Sequence, residues 1–304
     1  MGIFSKKSKQ HYFSSSEFVS TGHPDRLADL LASKVIDDIQ KKDGGNSHAA
    51  IEVFLTHDSI IFSGEATTTL ELTYDYLRDV VKYAYDEAGY YKTIRKHWTK
   101  SQCVLPSDLT VFNKISPQSP DIALGTTDKG KNSGWNDQSL LFSSADCTNE
   151  TRMGYPHYVA KLISDKLFSL SNRALVEEDT QLILGPDNKV IVTVEVGNDG
   201  ITPIQVTAVT IAVAHKADED VRDAVLDIVK QTLRNANIKV SKDCKFIING
   251  TGKFSVFGQI SDTSMTGRKI SVNHPSAGPV WSNKMIGGGS LVKPFHASDL
   301  ILNL

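Results

Sequence analysis

His23, Pro24 and Asp25 stand together at the front of "SEFVSTGHPDRLADLLASKVIDDI", residues 16 to 39. An imidazole and a carboxylate at a helix start can work on an anion, because helix N-termini present unpaired N–H groups and a positive dipole end. Much later, "MTGRKISV" sets Arg268 beside Lys269, and "GGGSLVKPFHASD" places Asp299 six residues after Lys293. Read as a strand, Arg268 and Lys269 point to opposite faces, so both grip one phosphate only if the strand bends or lies between two sites. Carboxylates at Glu17, Asp25, Asp121, Asp137, Asp262 and Asp299 are scattered, and each alone reads as a cap or a surface charge. Magnesium needs only one or two carboxylates plus substrate phosphates, so such scatter is compatible with a metal–phosphate site.

Two glycine-rich stretches fail as phosphate loops. "GTTDKGKN", residues 125 to 132, matches GxxxxGK but ends in Asn132 where a hydroxyl should hold magnesium, and no apolar strand leads into it. "GTGKF", residues 250 to 254, lacks the spacing and the hydroxyl, although its glycines let backbone approach a ligand.

The elements that must position these groups follow from periodicity. Leu27, Leu31, Val35 and Ile39 recur every four residues and predict a helix from Asp25 to Ile39, with Pro24 in its first turn. "AAIEVFLT" and "SIIFSGEATT" predict a hairpin turning at His57-Asp58. A helix from Leu70 to Glu87 closing at Gly89 and a strand from Leu109 to Ile115 follow. Residues 116 to 139 have a loop composition. The order then begins again. A helix over 155–174, strands "KVIVTVEV" and "PIQVTAVTIAVA", a helix over 218–235 with Val221, Val225, Ile228 and Leu233 inward, and a strand "CKFII" are expected. This is an α+β class of repeated αββαβ units, with antiparallel or mixed sheets covered by helices and packed sheet against sheet or through shared helices. The expected division is a unit over 22–121 completed by site loops at 258–304, a linking segment over 122–147, and a second unit over 148–257 joined by 10–21.

Composition narrows the setting. With 33 basic and 35 acidic residues, no global field draws the 304-residue chain to nucleic acid or anionic lipid. Cys103, Cys147 and Cys244 are far apart, which argues against a zinc site or a disulfide framework and suits a reducing cytoplasm. No apolar run reaches the roughly 20 residues of a membrane span. The start "MGIFSKKSKQ" has no secretory h-region and misses a myristoylation pattern at Lys6.

The blocks "SEFVSTGHPDRLADLLASKVIDDI", "GEATTT", "SPQSPDI", "DQSLLFSSADCTNET", "PDNKVIVTVEV" and "GTGKFSVFGQISDTSMTGRKISV" together resemble the S-adenosylmethionine synthetase family, in order and over nearly the whole chain. The resemblance implies condensation of ATP with L-methionine: the thioether sulfur attacks the ribose C5′, triphosphate leaves, and hydrolysis yields pyrophosphate and phosphate. It implies His23 at the bridging oxygen of the triphosphate and Asp25 and Asp299 as magnesium ligands. Lys189, Arg268, Lys269 and Lys293 grip phosphate, Asp187 lies near the ribose or adenine, and Phe254 stacks on adenine. Glu65, Gln118, Asp137 and Asp262 contact methionine or nucleoside, Glu52 marks a potassium site, and residues 116 to 132 form a gate. The family implies a homodimer, with a tetramer as the larger assembly, and active sites at the interface. Such a dimer would let the two faces of the Arg268-Lys269 strand serve different subunits' sites.

The chain also departs from the family. "SGWNDQS" stands for GAGDQG, "NHPSA" follows "GRKISV", Ala297 replaces a usual lysine, and the sequence stops at Leu304, which predicts a reduced or absent third unit. The alternatives are a triphosphate hydrolase that has lost methionine transfer, or a noncatalytic nucleotide-binding regulator of an intact synthetase.

Overall fold

The computed structural model describes residues 11–44, 47–121, 146–177 and 182–269. Strand β1 (Tyr12–Val19) leads to helix α1 (Pro24–Asp43), whose N-cap is His23 and whose end is marked by Gly44 at φ 57°. The stripe Leu27, Leu31, Val35 and Ile39 is buried, as its spacing predicts. So is a second strip, Asp25, Asp29 and Ser33. Helix α1 is thus covered on two sides, one apolar and one polar.

Strands β2 (His48–Thr56) and β3 (Ser59–Thr67) form the expected hairpin, with His57 at φ 45° in its turn. Period-two alternation sends Ile51, Val53 and Leu55 into the core and Glu52 and Phe54 outward. Helix α2 (Tyr74–Glu87) begins four residues later than the pattern predicts, because the Thr73 hydroxyl caps it by accepting the Tyr76 amide. Leu70 and Leu72 pack on the core from the preceding segment instead. Strand β4 (Thr110–Pro117) then joins β3 in parallel.

The second run repeats this order in helix α3 (Tyr155–Glu177), strands β5 (Leu184–Val196) and β6 (Pro203–His215), helix α4 (Arg222–Asn235) and strand β7 (Val240–Ile248). Helix α4 starts at Arg222 rather than 218, where the Asp220 carboxylate accepts the Arg222 amide. Its inward residues are Val225, Val229 and Leu233, at a regular spacing of four, and Ile228 is only partly buried.

Two four-stranded mixed sheets result, ordered β1-β5-β6-β7 and β4-β3-β2-β8, where β8 is the short strand Ser264–Met265. The edge strands are exchanged along the chain. Strand β1 precedes the first run yet pairs antiparallel with β5 of the second, while β8 follows the second run yet pairs antiparallel with β2 of the first. The fold is therefore α+β, and neither sheet is completed by a contiguous stretch of sequence. The two runs meet through helix and loop: Ala174, Leu175, Ile183, Ala214 and Phe257 join the hydrophobic core of the first sheet. The outer sheet faces take no part in that contact. Phe54, Phe112 and Met265 remain 37%, 42% and 46% exposed on one of them. No helix of the described residues is long and apolar enough to cross a membrane.

Gly64 lies in β3 of the β2-β3 hairpin at φ 118°, and a Cβ there would lie 1.9 Å from the Ala50 carbonyl oxygen. Gly64→Ala is expected to destabilise the fold by roughly 3 kcal/mol or more, read as a lowered denaturation midpoint in urea.

Candidate functional site: a buried histidine and carboxylate under a basic turn

The tight approach of residues 20–23 to residues 186–188 builds one wall of the site. The Ser20 hydroxyl donates to the Pro186 carbonyl at 2.7 Å and accepts the Asn188 amide at 3.0 Å. Gly22 has no room for a side chain, since a Cβ would sit 2.4 Å from the Pro186 carbonyl oxygen. This seam sets His23, at the start of α1, next to the stretch that carries Asp187 and Lys189.

His23 caps its own helix: its Nδ1 accepts the Asp25 amide at 3.2 Å. An amide can only donate, so a neutral ring carries its proton on Nε2, and Nε2 faces the Asp262 carboxylate at 4.0 Å. The ring is held neutral. Burial lowers its pKa well below the ordinary imidazole value, and the charges of Lys269, Lys189, Arg268 and Arg26 lower it further.

Asp25 has no exposed surface. Its Oδ2 accepts the Lys269 ammonium at 2.6 Å, its Oδ1 accepts the Met265 amide at 3.2 Å, and an Arg268 guanidinium nitrogen lies 3.6 Å from Oδ1. Arg268 and Lys269 are in a turn after β8, not in a strand. Both converge on one carboxylate of the same chain, so the expectation that they serve opposite faces, and hence two subunits, is corrected. One helical turn on, Asp29 accepts the Gly267 amide at 2.8 Å, and the Thr266 hydroxyl donates to Glu52 on β2. The basic turn is thereby held to α1 and to β2. The Asp187 carboxylate accepts the Gly258 amide at 3.1 Å, and burial pushes its pKa up to about 7.

His23, Asp25 and Asp262 each offer a ligand atom, all within 4.8 Å of one another. The carboxylate oxygens of Asp25 and Asp262 are hard donors that suit magnesium. Phe254 packs partly buried against the first core, its amide donating to His215 Nε2 at 3.1 Å. Glu65 and Gln118 stand elsewhere: Glu65 lies opposite Ala50 and Ser116, and the Thr67 hydroxyl donates to the Gln118 side chain at 3.3 Å. That is four residues, about 13 Å, along the sheet from the row of Phe54 and Met265. Asp137, Lys293, Asp299 and residues 122 to 132 of the expected gate lie outside the described residues.

Sequence reasoning missed Asp29, Arg26 and Tyr90. Asp29 had a signal: it lies four residues after Asp25 and so on the same helix face. Tyr90 had none, because its partner, the Gly22 carbonyl, is distant in sequence.

The fold and the site define a two-sheet α+β protein of repeated α-β-β-α-β units, with a histidine and a buried carboxylate at their junction. Residues 11–120 match the N-terminal domain of S-adenosylmethionine synthetase, and residues 132–254 match its central domain. An S-adenosylmethionine synthase of Acholeplasma laidlawii is 32% identical over 266 residues, covering 86% of this chain and 65% of its own length. One of Sulfurimonas denitrificans is 30% identical over 287 residues, covering 92% and 68%. Among solved structures, an unusual S-adenosylmethionine synthetase from Campylobacter jejuni superposes with a TM-score of 0.76 at 26% identity, covering 93% of this chain and 68% of that one. The chain belongs to the S-adenosylmethionine synthetase family. It spans slightly less than two thirds of the length of the Acholeplasma relative.

Burial pushes the Asp29 pKa up to about 6 against an ordinary value of 3.8, with the Gly267 amide and Arg26 opposing. The protonated form is thus favoured in the folded state, so this group's contribution to stability is fully present below about pH 4 and is lost as pH rises through 6. Asp29→Asn is expected to flatten that loss, gaining up to about 3 kcal/mol on wild type between pH 4 and pH 7 in urea denaturation.

Proposed function

We propose that the chain is a methionine adenosyltransferase, forming S-adenosylmethionine from ATP and L-methionine with release of pyrophosphate and phosphate. The observation that carries this reading is the neutral His23, with its Nε2 proton facing the site, surrounded by the charges of Lys189, Arg268 and Lys269. Attack of the methionine sulfur on C5′ breaks the C5′–O bond and leaves an anion of about four charges, so catalysis needs a donor at the departing oxygen and cations around it. His23 is the donor. Its backbone and side chain are fixed before substrate arrives, because the ring is bonded to its own helix start, so little reorganisation is required. Lys269 and Arg268, already held on Asp25, and Lys189 and Lys293 balance the phosphates. Asp187 lies by the ribose or adenine, Phe254 stacks on the base, and Asp137 and Asp262 contact methionine and nucleoside.

Asp25 and Asp299 would hold magnesium, which supplies charge neutralisation of the triphosphate, and Glu52 would take potassium. The hard oxygen donors around Asp25 support the first assignment. The division into units over 22–121 with 258–304 and 148–257 with 10–21, linked and gated by 122–147, is part of this proposal. The exchanged edge strands β1 and β8 support it. Three unbridged thiols support a cytoplasmic setting.

The active form is a homodimer whose sites include residues from both subunits. Met265, Phe54, Ile61 and Phe112 form one continuous row across all four strands of the sheet face that the described residues leave uncovered. Glu65, about four residues along the sheet from that row, and Gln118, just past the end of β4, would be supplied by the facing copy.

Incubation with ATP, methionine, magnesium and potassium is expected to yield S-adenosylmethionine with phosphate and pyrophosphate. Phosphate release alone would defeat the transferase reading, and no turnover would favour the regulator. His23→Asn should lower kcat for S-adenosylmethionine formation about 100-fold or more with ATP affinity little changed. A wild-type rate in this variant would remove His23 from the leaving-group role. Phe54→Asp should shift the native mass from that of a dimer to that of a single chain in light scattering.

A further inference from the structure

We propose that Tyr90 is a positioning residue whose hydroxyl sets the spacing between the His23 backbone and the loop that carries Asp262. The proposal rests on the transferase reading for its kinetic consequence only. Tyr90 is 2% exposed, and its hydroxyl donates to the carbonyl of Gly22, the residue before His23, at 2.6 Å. The same hydroxyl touches the opposite wall: a Cβ on Gly258 would lie 2.8 Å from it. Gly258, at φ 67°, admits this approach without strain.

Gly258 controls the other half of the site. Its amide donates to Asp187, and its carbonyl accepts the amides of Ser261 and Asp262 at 3.0 and 3.1 Å. A single phenol therefore stands between the residue that introduces His23 and the residue that orients Asp187 and Asp262. The ring itself is immobilised, with Tyr85 at 5.3 Å and Phe257 at 6.1 Å between centroids. Burial raises the Tyr90 pKa well above the ordinary phenol value, so the hydroxyl remains a donor across the working pH range. Removing it leaves the Gly22 carbonyl without this donor and releases the peptide that precedes the histidine.

Tyr90→Phe keeps the ring and deletes the hydroxyl. With ATP, methionine, magnesium and potassium, the variant is expected to show kcat lowered about tenfold and KM for ATP within about twofold of wild type, because donor alignment is lost while phosphate contacts remain. Val225→Ala, a cavity in the other hydrophobic core, provides a variant of comparable or greater destabilisation and is expected to keep kcat. Amide spectra of Tyr90→Phe should move at residues 21–25 and 258–262. Unchanged kcat, an equal fall of kcat in Val225→Ala, or amide shifts confined to the neighbours of residue 90 would overturn the proposal. If wild type makes no S-adenosylmethionine, the transferase reading falls by itself and the amide shifts still decide the role of Tyr90.

Discussion

Burying a carboxylate costs several kcal/mol unless cations and hydrogen-bond donors compensate for the lost water. Asp25 is completely buried, and its partners, Met265, Arg268 and Lys269, come from a stretch some 240 residues later. The rest of the site depends on that closure. With it, the turn at 266–269 is fixed above the start of α1, β8 is added to the edge of β2, and two cationic side chains, Arg268 and Lys269, are brought near His23. Without it, α1 would expose its polar strip and His23 would lose part of its burial and two of the cations that add to burial in lowering its pKa.

Closure also explains why the two repeated runs form one site. Each run supplies a hairpin, two covering helices and a parallel third strand, but each sheet takes its fourth strand from outside its own run. Strand β1 ends four residues before His23, and β8 ends three residues before Arg268. The exchanged strands therefore bring His23 and the Arg268-Lys269 turn together, since the segments that follow them converge where the runs meet. Asp187 enters from the second run through the seam of Ser20, Gly22 and Pro186.

Much of this was legible in the residues. Four-residue apolar spacing located α1, and alternation located the hairpins, because burial on one face imposes those periods. The boundaries of α2 and α4 were displaced by the Thr73 cap and by the bond of Asp220 to the Arg222 amide, which override hydrophobic spacing. The strand reading of Arg268 and Lys269 failed because β-forming residues follow them, whereas the local conformation is set by bonds from Gly267 and Thr266 to Asp29 and Glu52. Those are contacts that no local pattern encodes. Tyr90 was silent for the same reason, and the placement of Glu65 and Gln118 along the sheet became visible only with the strand register.

The account is tested most directly by a double-mutant cycle on Asp25 and Lys269, read by urea denaturation of Asp25→Asn, Lys269→Met and the double variant. The account predicts that Lys269→Met alone costs about 3 kcal/mol, because it strands a buried charge, and that the pair shows a coupling of about 2 kcal/mol or more. Effects that add to within about 0.5 kcal/mol would contradict it, since the two distant segments would then not be held together at Asp25.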